Sequence, residues 1–207
     1  LNGNHYVVIS TTGQNTFDGG NQFTIAAWIK ELPDQNFAPW ISKRGESDGW
    51  QIRKYGGQVQ VTFTLRGVGE SELVANINPS KWRHLTGVWG GGKRKIFING
   101  ALSLSEDRSG AVNVTDSALV FGARDDSGNY DPADANITKY SNIWLDDVRF
   151  YNVFLSDSEV ARIYGGGLGD VGQPWIKVTS PSSATAATGM AFTCLLYTSP
   201  SPRDLST

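Results

Sequence analysis

From Gln58 to Leu65 the chain reads QVQVTFTL, with Val59, Val61, Phe63 and Leu65 alternating with Gln58, Gln60, Thr62 and Thr64. A period of two sends successive side chains of an extended strand to opposite faces, so one face is expected to meet a core and the other water. Similar short apolar runs occur at Tyr6–Ser10, Phe23–Ile29, Trp40–Lys43, Trp50–Tyr55, Leu73–Ile77, His84–Trp89, Lys95–Ile98, Leu119–Phe121 and Ile143–Tyr151. Gly, Asn, Asp or Pro separates nearly every pair of runs, which is the punctuation of tight turns. Two hairpins follow: one through Gly90-Gly91-Gly92, and one through Asn99-Gly100, a pair suited to a type I′ turn, leading into Ala101–Ser105. The only helical signal is the capping box Ser156-Asp157-Ser158-Glu159, followed by Val160, Ala161, Ile163 and Tyr164 and stopped by Gly165. These elements imply an all-β, antiparallel unit over residues 1–164 with one short helix near its C-terminus.

After that unit, residues 165–173 read as a Gly-rich linker, and residues 174–193 carry strand-like residues again. The string PWIKVTSPSSATAATGMAFT resembles the opening strands of bacterial immunoglobulin-like or cadherin-like repeats, of which only the start is expected here. Residues 194–207 form an unstructured tail in this reading. Its first eleven residues, CLLYTSPSPRD, resemble the translated adapter of a shotgun sequencing library. The only cysteine, Cys194, lies in that tail and carries no information about redox compartment. A net charge of −2, with no basic stripe interleaved with aromatics, excludes nucleic acid as an expected partner. No apolar run approaches the ~20 residues that span a bilayer. A signal peptide is also missing from the start, so the natural N-terminus is expected to lie upstream.

Three segments carry a family resemblance: FTIAAWIK at Phe23–Lys30, KWRHLTGVWGGGKRKIFINGAL at Lys81–Leu102, and WLDDVRFYNVFLSDSEV at Trp144–Val160. Together, in this order, they resemble the laminin-G-like, concanavalin A-like lectin jelly-roll domains. The resemblance implies a two-sheet antiparallel jelly-roll sandwich, and with it a secreted or cell-surface, non-catalytic module of a larger bacterial-type protein, monomeric by itself, that binds polysaccharide, glycoprotein glycan or another extracellular protein, often with calcium.

A related branch of that fold contains glucanases with an E-x-D-x-x-E strand. The nearest string here, Glu46-Ser47-Asp48-Gly49-Trp50, lacks the last Glu, and retaining hydrolysis needs two carboxyls about 5–5.5 Å apart. With no G-x-S-x-G and only His5 and His84 as imidazoles, no nucleophilic triad is expected either. His84 reads as a hydrogen-bonded structural residue. Calcium suits the hard oxygen donors present. In strict alternation Asp146 falls on the side of Val148 and Phe150, where a carboxylate needs a partner: either a structural calcium shared with oxygens near Asn4, as the family resemblance implies, or backbone N–H groups. The long loop Arg124–Asn142 offers a second set, Asp125, Asp126, Asp131 and Asp134 with Asn129 and Tyr130, as either a solvated acidic loop or a calcium or ligand rim.

Sugar recognition would use a flat aromatic against the apolar face of a pyranose. Trp40, Trp50, Trp89 and Tyr130 are the candidates, with Asn129 as a hydrogen-bonding neighbour, each weighed against an ordinary place in the core. Two functions follow, a glycan-binding module and a protein-interaction or spacer domain without a glycan ligand. An exposed coplanar pair of aromatics would favour the first and an even polar surface the second.

Overall fold

The computed structural model describes residues 6–9, 20–31, 37–45, 48–56, 60–68, 72–77, 81–115, 117–126, 137–166 and 176–178. Two six-stranded antiparallel sheets face each other. The first runs in the order β1 (Val7–Ile9), β10 (Leu119–Phe121), β3 (Pro39–Arg44), β4 (Gly49–Lys54), β5 (Gln60–Leu65) and β6 (Glu72–Asn76). The second runs β14 (Ile176–Val178), β13 (Ile143–Tyr151), β2 (Phe23–Glu31), β7 (Arg83–Gly90), β8 (Lys93–Ile98) and β9 (Ala101–Asp107). A two-stranded ribbon of β11 (Arg124–Asp125) and β12 (Ile137–Thr138) lies inside the long loop Arg124–Asn142. The helix α1 (Asp157–Tyr164) has the expected box: the Glu159 N–H donates to Ser156 Oγ (3.4 Å) and the Ser156 N–H donates to Glu159 Oε2 (2.7 Å). Asn99 and Gly100 both have positive φ (51° and 76°), as a type I′ turn requires. No helix among the described residues is long and apolar enough to cross a membrane.

The inner faces supply one continuous core. Trp50, Phe63, Leu65 and Ile41 of the first sheet meet Phe23, Ile25, Trp89, Ile96 and Phe150 of the second. Val61, Phe63, Ile96, Val148 and Phe150 are buried as their alternation requires, Ile98 is only half-buried, and Val59 lies outside the described residues. Gly87 allows a close approach between the sheets, because a Cβ there would stand 3.1 Å from the Phe63 ring. A smaller core of Ala26, Val88, Phe97, Tyr151, Leu155, Val160 and Ile163 forms between the outer face of the second sheet and the helix. Thr24 Oγ1 pins the intervening segment by donating to the Val153 carbonyl (2.8 Å) and accepting from the Leu155 N–H (3.1 Å).

Charged side chains stitch this frame. Fully buried Arg94 on β8 donates to Glu106 on β9 (3.0 Å) and to the Phe63 carbonyl in the opposite sheet (3.3 Å). Burial pulls its guanidinium below the usual value, and Glu106 works against that pull. Glu106 also accepts from Arg108, which donates in turn to the Val68 carbonyl (2.9 Å). The buried ammonium of Lys43 donates to the Thr115 (3.2 Å) and Ser117 (2.8 Å) carbonyls, holding the long connection before β10.

In β13 the pleat is broken. The register with β2 shifts between Asp146 and Arg149, and Asp147 has φ 49°, which marks a bulge. Ile143 and Leu145 reach the core before the bulge and Val148 and Phe150 reach it afterwards. Strict alternation therefore puts Asp146 on the wrong side: it belongs to the outer face, opposite Trp28 in the register, and its Oδ1 accepts the Asp147 N–H (2.8 Å). Asp147 makes a buried two-point pair with Arg149, to Nε (2.8 Å) and Nη2 (2.7 Å). Burial acts to lower the Arg149 pKa, but the Asp147 carboxylate outweighs it and holds it above the usual value.

The stretch read as opening a second unit enters the structure through Ile176–Val178, which pairs with β13 as the outermost strand of the second sheet. The sequences around it, from 167 to 175 and from 179 to 207, adapter-like run included, lie outside the described residues.

Two stability outcomes follow. Gly87→Ala should lower the free energy of unfolding by about 1–3 kcal/mol by forcing the sheets apart at Phe63, seen as a lower urea midpoint at unchanged slope. Asp147→Ala should cost about 3–5 kcal/mol by stranding the buried Arg149 charge, and the double change Asp147→Ala/Arg149→Met should recover most of the loss in the same titration.

Candidate ligand-binding face

The side chains between the core positions of the first sheet point outward. Register aligns Val120, Ser42, Gln51, Thr64 and Glu72 in one row across five strands, and Arg53 and Thr62 in the next. The polar half of the QVTFTL strand is not the wet face that alternation implies: Thr62 and Thr64 are 0% and 2% exposed, and Ser42 is 0% exposed. Long side chains from neighbouring strands crowd this row. With the Gln51 amide oriented to satisfy its neighbours, Oε1 accepts from Arg44 Nη1 (3.1 Å) and from Arg53 Nε (3.1 Å). Arg53 also pairs with Glu72. At the β11 end Arg124 Nη2 donates to Asp126 Oδ2 (2.9 Å).

Burial first, and then repulsion from Arg66, Arg124 and Arg53, lowers the Arg44 pKa to about 10. Asp126 opposes these effects, and the group stays charged at neutral pH. Burial tends to raise Asp126, but its bonds from Arg124 and Thr138 prevail and hold the carboxyl below the usual carboxylate range.

Aromatic rings flank the polar rows. Phe37, 44% exposed, stands edge-on to Tyr55 (centroids 5.7 Å, 79°), and both rings lie near the Arg53 guanidinium (5.0 and 5.9 Å). Towards β1, the exposed Tyr6 meets Tyr140 (5.8 Å, 44°) beside a small apolar patch of Val8, Ala118, Val120 and Ala123. Neither pair is coplanar. On the outer face of the second sheet Trp144 is exposed, with the Lys30 ammonium 5.7 Å from its ring.

Sequence-based candidates fare unevenly against this geometry. Trp40, Trp50 and Trp89 are 1%, 0% and 1% exposed, so they are corrected from sugar platforms to core residues: their faces are filled by protein, with Trp50 against Phe23 and Phe150. Asp125 is buried and accepts the Ala118 N–H (3.0 Å), and Asp126 serves Arg124 and Thr138. Asp146 stands apart from both, on β13. Among the described residues no three of His, Cys, Asp and Glu gather into a metal cluster. Asn4, Asn129, Tyr130, Asp131 and Asp134 lie outside the described residues, as do His5 and Glu46. His84 is buried, packed edge-on to Trp28 (5.5 Å) and against Tyr164 (5.7 Å), its backbone N–H bonded to Asn99 Oδ1 (3.0 Å). Asp48 accepts from Asn113 (3.1 Å). The arginine row and the Phe37–Tyr55 pair are absent from the sequence-based candidates. Their signal is polar and basic residues in phase on adjacent strands, which only the register assembles.

No curated protein sequence matches the chain. Among solved structures it is similar to the binding domain of botulinum neurotoxin DC in complex with rat synaptotagmin II (16% identity, TM-score 0.57, covering 80% of this chain and 41% of that one). It is also similar to botulinum neurotoxin type C, whose cell entry depends on interaction with two ganglioside molecules (16%, 0.52, 70% and 36%). A candidate carbohydrate-binding protein from Bacteroides ovatus is a third (15%, 0.58, 77% and 44%). The chain spans less than half the length of each, and at these identities the likeness concerns the fold. The described neighbours are binding proteins, whereas the family matched by sequence includes glucanases. That match, the laminin-G type 3 profile, covers residues 1–161, and the chain belongs to its family, the concanavalin A-like lectin/glucanases superfamily.

Proposed function

We propose that this chain is a non-catalytic carbohydrate-binding module of a larger extracellular protein, and that glycan docks on the outer face of its first sheet. The observation that carries this reading is the exposed Phe37 ring, set against Tyr55 and Arg53 at the margin of a row of amide, hydroxyl and guanidinium groups. A pyranose offers an apolar C–H face and a rim of hydroxyls, which match a ring flanked by fixed donors and acceptors. The Bacteroides ovatus neighbour, by its description, and the ganglioside dependence of the type C toxin lend support at the level of fold.

A structural calcium belongs to the same proposal. Asp146 offers a buried hard oxygen, and the further donors expected near Asn4 lie outside the described residues. A protein-interaction role is the second reading. It is favoured by Leu102 and Leu104, both exposed on the edge strand β9, and the toxin–synaptotagmin complex is a parallel for it.

A glycan array probed with the natural chain should give a defined set of hits, and Phe37→Ala should weaken them about tenfold or more. Trp144→Ala, on the opposite sheet, should leave them intact; the reverse pattern would put the site on the wrong sheet, and an empty array would favour the protein partner. Calcium should raise the melting temperature of the natural chain, with a stabilisation of about 2.7 kcal/mol at a hundredfold excess over Kd. Asp146→Ala should lose that shift without a change in glycan preference, and an unshifted natural chain would leave Asp146 as a cap on its own bulge.

A further inference from the structure

Phe37 stands on a left-handed backbone, φ 58°, a region that bulky side chains rarely adopt and that glycine enters freely. The surrounding structure must offset that strain, and strained residues gather at binding sites. Burial gives little reason for a phenylalanine here, because the residue is 44% exposed. Its ring is nonetheless held in one place: Tyr55 stands edge-on to it, the Arg53 guanidinium lies 5.0 Å from its centroid, and its Cζ is 3.8 Å from where a Gly56 Cβ would be. A glycine would relieve the backbone, whereas phenylalanine keeps an apolar surface open to water.

Beyond Tyr55 the same face carries polar groups without charge. The Tyr55 N–H donates to the Gln60 carbonyl (2.9 Å), and Gln60 is paired in register with Asn76. Both alternate with core residues, Val61 and Ala75, so their side chains look outward. Gln60 Nε2 donates to Asn76 Oδ1 (3.0 Å), which leaves the Asn76 amide N–H groups and the Gln60 amide oxygen unused among the described residues. A sugar hydroxyl both donates and accepts and matches such a mixed edge, whereas a carboxylate or sulfate only accepts and would face the free oxygen. The guanidinium beside the rings is not a spare charge either: Arg53 is paired with Glu72, and its Nε donates to Gln51 Oε1 (3.1 Å). From Tyr55 to Asn76 is a step of two strands, roughly 10 Å at the ordinary interstrand spacing, or about one to two sugar rings. We propose that the corner formed by Phe37, Tyr55, Gln60 and Asn76 binds a short stretch of an uncharged saccharide, about one to two pyranose units, with Phe37 as its stacking platform. The inference rests on the carbohydrate-binding reading above and specifies the charge and the footprint of the ligand.

The test is an NMR titration of the full 207-residue chain with cellobiose, mannobiose and galactobiose, the hexamer of each, and the diuronate counterpart of each dimer. At least one neutral dimer should bind, its hexamer should gain no more than about fivefold from the extra registers of a longer chain, and its diuronate should bind at least about tenfold more weakly. Phe37→Gly should weaken the dimer by more than about tenfold, and its melting temperature should equal or exceed that of the natural chain, because glycine takes the left-handed backbone without strain. Asn76→Ala should weaken the dimer about tenfold through lost hydrogen bonds, while Ser105→Ala, exposed on the second sheet, should not. A fall of several degrees in Phe37→Gly would make the ring structural and overturn the proposal. Binding that survives Phe37→Gly or ignores Asn76→Ala would place the sugar elsewhere. A larger gain for the hexamer would replace the short footprint with a groove, and a diuronate that rivals its neutral dimer would overturn the charge rule; either would leave the carbohydrate reading standing. No binding of any saccharide would end both readings.

Discussion

Contact between the Phe63 ring and the bare backbone of Gly87 sets how closely the two sheets approach. Stacked sheets stand about 10 Å apart when their side chains interdigitate, and a glycine opposite a phenylalanine is one way to fill that gap without a void. Around this contact Trp50 packs on Phe23 and Phe150 at centroid distances of 5.3 and 5.5 Å. Once the inner layer is fixed in this way, the pleat leaves no freedom elsewhere: every second residue of each strand must face outward, whatever its chemistry.

The two outer faces meet that demand differently. On the second sheet, Ala26, Val88 and Phe97 are apolar and are covered by Leu155, Val160 and Ile163 of the helical segment. On the first sheet the outward positions hold serine, threonine, glutamine and arginine in its centre, with small apolar and aromatic patches at its margins. A lid of helix over the first would have to bury guanidinium groups without water, which is prohibitive unless each is paired. The asymmetry therefore leaves polar and charged groups on the outer face of one sheet and gives structural support to the other.

Much of this was legible in the sequence, and the failures have physical causes. Strand positions, the Asn99-Gly100 turn and the Ser156 cap are local signals, and the structure matches them within a residue or two. Strict alternation misplaces Asp146 because a single left-handed residue, Asp147, inserts a bulge that no period-two count can anticipate. The tryptophans were ambiguous between platform and core since both uses ask for the same ring. Least legible was the basic row: Arg44, Arg53, Arg66 and Arg124 come from four separate segments, and nothing short of the strand register brings them together. Thr62 and Thr64 could be given a side by alternation but not an environment, because burial on that side depends on what neighbouring strands lay over them.

The position of β13 between β14 and β2 carries a kinetic consequence. Thr24 and Leu155 are hydrogen-bonded across 131 residues, so β2 cannot gain its second neighbour until β13 and the helix after it have been synthesised. Through most of translation the apolar strand Phe23–Glu31 has β7 on one side and an open edge on the other. Sheets dominated by distant pairings form slowly, and an unpaired edge is a template for other chains. The domain thus behaves as an all-or-nothing unit during biogenesis: a chain halted before Tyr151 would expose its own central strand to whatever extended segment comes past.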